Sequence, residues 1–320
     1  MSKNYENTIA YSPLWKEKSG KLDFSMSNDY LFRALLQKDE KTLKLIVASF
    51  LQVSVESISD IEITNPILLG ADINDKEYHL DIHTLLDHER VIDLEMQVLR
   101  HKGWTERTLV YVCRAFDELN HGNNYADAKS VWQISFCGFT LFEEEPEFVS
   151  DYMLINKRKP DQLYSDKIRI TNVNLSRIDL ATEEDIRSGI ACWARLFTAE
   201  SWEDLKMIEK ENPVMGQTIS SIYQLTSDEI VRKQMLRREE NERLHRSMMQ
   251  DYEDMKQQVE EMRNLYNSMK SEYDGMKSEY DGIKSEYDGI KSEYTNLVNE
   301  NKKVLEENRK LHEELSNLKR

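Results

Sequence analysis

Apolar positions along the first three quarters of the chain switch between a helical and a strand period. In DYLFRALLQ (29–37), Leu31, Leu35 and Leu36 form one stripe behind Ser27 or Asn28, either of which can cap the helix. A second helix, KTLKLIVASFLQ, is expected at 41–52, followed by short strands at 61–64, 78–86 and 91–98. Residues 104–120 read as a helix closed near His121-Gly122, with Gly as its stop. The mostly apolar VWQISFCGFTLF (131–142) is long enough to be the central strand of its sheet. Strand-like pieces, DYMLI and KIRITNVNL, fall within 151–180, and helices resume at 183–197 and past 203. That order predicts an α/β sandwich, a mixed sheet flanked by helices.

One strand raises a chemical question. In VIDLEMQ (91–97), Ile92, Leu94 and Met96 alternate with Asp93, Glu95 and Gln97. Acidic residues are depleted in strands, so this polar face is either open to solvent or occupied by a cation. If HLDIHTLL pairs with it as an antiparallel hairpin centred on His88, Asp81 lies opposite Glu95. Directly opposed Cβ atoms are about 5 Å apart, and two carboxylates there repel unless a divalent ion neutralises them. Mg²⁺ takes carboxylate oxygens and often binds beside phosphates. Gln97 shares the face and could hold a water or a phosphate, whereas Asp93 lies one step further off as a bystander.

From about residue 240 the pattern changes again. SEYDGMK, SEYDGIK, SEYDGIK and SEYTNLV start at 271, 278, 285 and 292, with Tyr273, Tyr280, Tyr287 and Tyr294 at one heptad position. Met276, Ile283, Ile290 and Leu297 follow three residues later. This a/d register extends over roughly ten heptads, with Glu279 and Glu286 at g and Lys277 and Lys284 at e. A coiled coil joining chains through residues 245–318, most simply as a dimer, is expected; a solvated helix or unstructured tail is the alternative. Gly275, Gly282 and Gly289 weaken the helix by about 1 kcal/mol each relative to Ala, and Asn301 and Asn308 at a trade stability for register. The division expected is an irregular flexible arm at 1–25, an α/β unit at 26–240 and the heptad tract at 241–320.

Charge narrows the functions available. The net charge of the 320 residues is −16, and residues 241–320 hold 14 Lys/Arg against 18 Asp/Glu, leaving about −12 for residues 1–240. A general nucleic-acid binder is normally basic, so nucleic-acid contact here requires a local basic patch or metal ions. Arg33, Arg90, Arg100, Lys102 and Arg107 are the basic residues near the acidic strand, and His88 and His101 show no metal-ligand spacing. Cys113, Cys137 and Cys192 lie apart in apolar contexts, which favours buried reduced thiols and a cytoplasmic setting. No apolar leader and no run approaching about 18 apolar residues is present, so neither a signal peptide nor a membrane span is expected.

The arrangement D-x₁₃-E-x-Q across two strands, after a DYLFRALL helix and before a helix with Arg107, Tyr111 and Arg114 on one face, resembles the Rpn recombination-promoting nucleases, also described as transposases. They belong to the PD-(D/E)XK nuclease superfamily. The likeness covers roughly residues 26–240 and includes the apolar strand and DYMLINKRKPDQLYSDKIRITNVNL that follow. It implies a restriction-endonuclease-like core and Mg²⁺-dependent hydrolysis of DNA phosphodiesters, with Mn²⁺ as a substitute. Asp81, Glu95 and Gln97 would be catalytic, with Asp81 and Glu95 as metal ligands and Arg107 and Tyr111 as accessories. Gln97 stands where the wider superfamily has Lys, and it can orient a water only by hydrogen bonding. Asp29 resembles the group's acidic residue on the first helix, or is simply an acid favoured at a helix N-terminus. A protein promoting recombination or element mobility follows from the resemblance. The competing reading is a weak or inactive nuclease fold that serves as an interaction protein through its coil.

Overall fold

A computed structural model describes residues 11–65, 82–117 and 124–318. The chain divides into two units, Met1–His245 and Arg246–Arg320.

Two helices open the first unit, α1 (Asp29–Lys38) and α2 (Glu40–Leu51), and α4 (Glu183–Arg187), α6 (Trp202–Glu211) and α7 (Met215–Ser227) lie further along it. Asn28 caps α1, its Oδ1 accepting from the Leu31 N–H at 3.1 Å. Asp39 ends one helix and starts the next: its N–H donates to Leu35 O, and its Oδ1 accepts from the Thr42 N–H at 3.1 Å. Its other oxygen accepts from Thr42 Oγ1 at 2.9 Å and from Ser221 Oγ at 2.6 Å. A carboxyl group buried to 1% exposure is tolerable only with such partners.

The sheet has six strands: β1 (Ile61–Ile63), β2 (Ile82–Leu86), β3 (Arg90–Gln97), β4 (Ser130–Cys137), β5 (Val149–Asn156) and β6 (Lys159–Asn174), in the order β1-β2-β3-β4-β6-β5. β4 is parallel to both its neighbours, β3 and β6, and the remaining pairs are antiparallel. The β2–β3 hairpin pairs Ile82 with Leu94 through Leu86 with Arg90, the register centred on His88 that the alternation predicts. Asp87 and His88 make its turn with φ of 47° and 60°, as a tight hairpin turn requires. The Asp87 carboxylate accepts from Ser59 Oγ and the Asp60 N–H, and these bonds hold its carboxyl below the usual carboxylate range.

One face of the sheet carries the main core. Ile92, Leu94 and Met96 of β3 and Trp132, Ile134 and Phe136 of β4 pack against Phe32 of α1, Phe50 of α2 and Phe197 of α5 (Ile190–Phe197). Phe136 meets Phe32, Phe50 and Phe197 edge-on, with centroids 5.9, 5.8 and 5.0 Å away. The other face is covered by α3 (Trp104–Phe116), which connects the parallel strands β3 and β4. There Val91, Val112 and Val131 make a smaller cluster, with Leu85, Ala115, Phe116, Ile168 and Ile170 at its edge. Cys113 of α3 is exposed and Cys192 of α5 is half-buried, while Cys137 of β4 is buried, which corrects the expectation that all three thiols are buried.

Residues 11–25 are mostly exposed but anchored at Trp15 and Leu22. Trp15 is fully buried, Ser12 N–H donates to Ser220 Oγ at 2.7 Å, and Lys21 bridges to Ser201. The charged stretch leading into the heptad tract also packs. The long helix α8 (Glu229–Leu318) buries Val231 and Met235, one turn apart, in the first unit's core. In the second unit the heptad stripe from Tyr252 to Leu315 is exposed, its apolar a and d residues ranging from 53% to 69%. No helix among the described residues is long and apolar enough to cross a membrane.

Trp15→Ala tests whether the N-terminal segment belongs to the core. We expect a loss of about 3 kcal/mol in chemical unfolding; a change below about 0.5 kcal/mol would mark the segment as a surface appendage.

Candidate active site

On the α3 side of the sheet, side-chain chemistry grades along the strands. The ladder runs from Val91 beside Val131, through Asp93 beside Gln133, to Glu95 beside Ser135 and Gln97 beside Cys137. β6 continues it with Ile168, Ile170, Asn172 and Asn174. Toward the starts of the parallel strands this face is hydrophobic, and toward their ends it is polar. The solvent reading of the acidic face is thereby excluded: Asp93 is 2% exposed and Glu95 4%. Such carboxylates must be compensated, because burial without partners costs several kcal/mol.

α3 supplies the compensation. Arg107 Nη2 donates to Glu95 Oε1 at 2.8 Å, and Nη1 donates to Gln97 Oε1 at 3.2 Å. The same guanidinium lies 5.4 Å from the Trp104 ring centroid and 5.2 Å from that of Tyr111. Two aromatic rings and two acceptors therefore fix both its plane and its fork. Gln97 spends its amide N–H on Leu99 O at 2.8 Å, which settles which way that side chain points. Gln133 Nε2 donates to Glu95 Oε2 at 3.4 Å, while Gln133 Oε1 is buried with no hydrogen-bond partner among the described residues. Asp93 faces His83 across the hairpin, Oδ1 to Nδ1 at 3.2 Å. Burial, and secondarily the charge of Glu95, push the Cys137 thiol well above its ordinary range, so it stays protonated.

Two glycines let the strand ends and helix meet here. Gly138, just past β4, donates its N–H to Gln97 O at 2.9 Å, and a Cβ there would sit 2.8 Å from Val98 O. Gly103 opens α3 at a φ of 76°, a region that side-chain-bearing residues avoid. The loop from β3 to α3 carries Arg100, His101 and Lys102, all exposed. His101 lies 5.4 Å from His245 of α8, ring to ring. Partial burial, then the charges of Arg107 and His245, hold His101 below its ordinary value of 6.5. Its contribution to stability is thus complete above about pH 6.5 and declines as the pH falls toward its folded-state value.

The expected site residues are dispersed unevenly. Glu95, Gln97, Arg107 and Tyr111 come together, and Asp93 lies beside them on the same buried face. Asp81 lies outside the described residues. Asp29, in the first turn of α1, accepts from the Tyr30 N–H at 2.7 Å and lies 3.9 Å from Arg238 of α8. Arg114 is exposed, and Arg90 sits by the hairpin turn at the opposite end of β3. Arg33 is fully buried and donates to the main chain and side chain of Asn65, whose Oδ1 in turn accepts from the His83 N–H at 3.0 Å. That chain of bonds anchors the start of β2 rather than presenting a cation to solvent. Gln133, Ser135 and Asn172 were not anticipated as part of the polar layer. Their signal was the period-two alternation inside VWQISFC, where Gln133 and Ser135 interrupt Trp132, Ile134 and Phe136.

A mixed sheet sandwiched by helices, with a buried glutamate near the end of a parallel strand, is consistent with the α/β arrangement of PD-(D/E)XK nucleases. The chain belongs to the PD-(D/E)XK nuclease family transposases, whose family model matches residues 26–252. No curated protein and no solved structure matches the chain. Nucleases of this superfamily typically use divalent metal ions. Among the described residues, no group of three or more His, Cys, Asp or Glu side chains could hold a metal. The donors present are nonetheless of the right kind: carboxylate and amide oxygens of Glu95, Gln97 and Gln133 suit a hard cation, and the buried Gln133 Oε1 is left without a hydrogen bond.

Arg107→Ala should cost about 2 kcal/mol in urea unfolding, since a buried carboxylate loses its cation. Arg107→Lys should retain part of that by keeping charge without the fork. A loss below about 0.5 kcal/mol in Arg107→Ala would show that the ion pair does not hold the layer together.

Proposed function

We propose that this protein is a Mg²⁺-dependent DNA endonuclease, active also with Mn²⁺, that hydrolyses phosphodiester bonds in the course of recombination or element mobility in the cytoplasm. The observation that carries the reading is Glu95, kept as a buried acid at the end of β3 and gripped by Arg107, whose other amino group bonds Gln97. In this reading residues 26–240 are the nuclease unit, Glu95 and Asp81 hold the ion, and Gln97 is the third catalytic residue. The described β2–β3 register, centred on His88, supports pairing Asp81 with Glu95. Bound there, the ion would supply an ionised water near neutral pH and neutralise charge on the phosphate oxygens.

The chain's own groups have separable tasks. Arg107, 28% exposed, holds Glu95 in place and can share an N–H with a substrate phosphate. Gln97 orients by hydrogen bonding alone, because an amide neither gains nor loses a proton at neutral pH. Tyr111 and Trp104 keep the guanidinium from swinging away. Asp29, close to Arg238, acts as an accessory acid in this proposal. The heptad tract, residues 245–318, joins two chains.

The alternative, a weak or inactive nuclease fold acting as an interaction protein, draws on the same ion pair, since Arg107 already satisfies part of Glu95. Plasmid cleavage separates them. With Mg²⁺ or Mn²⁺, wild type should nick supercoiled DNA, while Asp81→Ala and Glu95→Ala should lose about 100-fold or more. Equal activity in all three would overturn the site, and no activity with either metal would favour the interaction protein.

A further inference from the structure

The exposed stripe of α8 is flanked by charges sorted by side. Counting from Tyr273 as a, every e position from Lys256 to Lys291 is basic, and Val298 and Leu305 follow at e. From Glu272 to Glu314, every g position is Glu. The two rows lie on opposite sides of the apolar stripe, and among the described residues no ion pair within the chain joins Glu272, Glu279 or Glu286 to Lys277, Lys284 or Lys291. The a and d residues between them, such as Tyr280 at 66% and Ile283 at 67%, stand open along the whole tract. A single helix has no use for such sorting.

We infer that the occupant of this stripe is a second copy of the chain, running parallel and in register. The inference rests on the reading above that chains pair through this helix, and adds its direction and alignment. In a parallel pair each g residue meets the e residue of the following heptad on the other helix. Glu272 then faces Lys277, Glu279 faces Lys284 and Glu286 faces Lys291, each twice by symmetry. An antiparallel pair sets g against g and e against e, placing Glu on Glu and Lys or Arg on Lys. Charge sorting therefore selects one orientation and opposes the other.

Register needs a separate device, because the SEYDG units are nearly identical and a slip of seven residues would keep Tyr on Tyr. Asn301 and Asn308, consecutive a residues, supply it. Only the unslipped alignment sets each Asn against itself; any slip by one heptad forces an Asn against Tyr294 or Leu315. Parallel pairing brings the N-terminal ends of the two heptad tracts together.

The test uses the full chain and a charge-exchanged variant in which Glu272, Glu279 and Glu286 become Lys and Lys277, Lys284 and Lys291 become Glu. Each sediments alone as a dimer if the pairing reading holds; a monomeric wild type overturns that reading and this inference with it. After unfolding and refolding together with differently tagged wild type, parallel pairing predicts self-sorting, with mixed dimers disfavoured by roughly tenfold or more. Mixed dimers in excess, or a random mixture, with wild type still dimeric, overturn the parallel orientation while leaving pairing intact. Val304→Cys, at d, then reports register. Self-linked dimers on mild oxidation, beyond any in wild type, support it, and their absence in a dimeric protein overturns it.

Discussion

The ion pair between Arg107 and Glu95 is the constraint on which the rest of the site depends. β3 is hydrogen-bonded on both edges and covered on both faces, so an acid at position 95 has nowhere to reach water. A strand in that place would ordinarily be apolar on both faces. The chain instead brings α3 back over the sheet so that a guanidinium, flattened between Trp104 and Tyr111, meets the carboxylate at 2.8 Å. Stability alone does not require such a pair, because well-packed apolar residues of the same volume do as well or better. The proposed role of Glu95 as a metal ligand accounts for why the pair is there.

Under the proposed function, a chain with a net charge of −16 would address a polyanion through a few local cations. Acidic side chains are spread over helices and the heptad tract, whereas the cations that matter are concentrated near the end of β3. Arg107 is half-buried beneath a loop carrying Arg100, His101 and Lys102, and its charge contributes to keeping His101 unprotonated. Fields act over about 10 Å at ordinary ionic strength, so a small cationic mouth matters more to an incoming phosphate than the total charge.

Much of this was legible in the amino-acid pattern. The α1 stripe and its Asn28 cap, the hairpin centred on His88, the α3 helix and the helical heptad tract all follow from local periodicity and turn chemistry. What local pattern could not show was depth. Alternation in VIDLEMQ looks the same whether its polar face meets water or another layer, and only the crossover of α3 decides between them. Gln133 and Ser135 were overlooked because a strand read as mostly apolar hides its polar half until its neighbours are known. Arg33, one of the basic residues near the acidic strand in sequence, is buried on Asn65, a partner distant in the chain. Trp15 sits in a segment too polar on average to suggest a core residue, yet it is fully buried.

The central claim is that Glu95 serves a metal. The most direct measurement is a crystal structure of the full chain soaked in Mn²⁺, read by its anomalous scattering. The account predicts an anomalous peak bonded to Glu95 and Asp81, lost in Glu95→Ala. Saturating Mn²⁺ with no peak beside Glu95, and the Arg107 ion pair undisturbed, would contradict it.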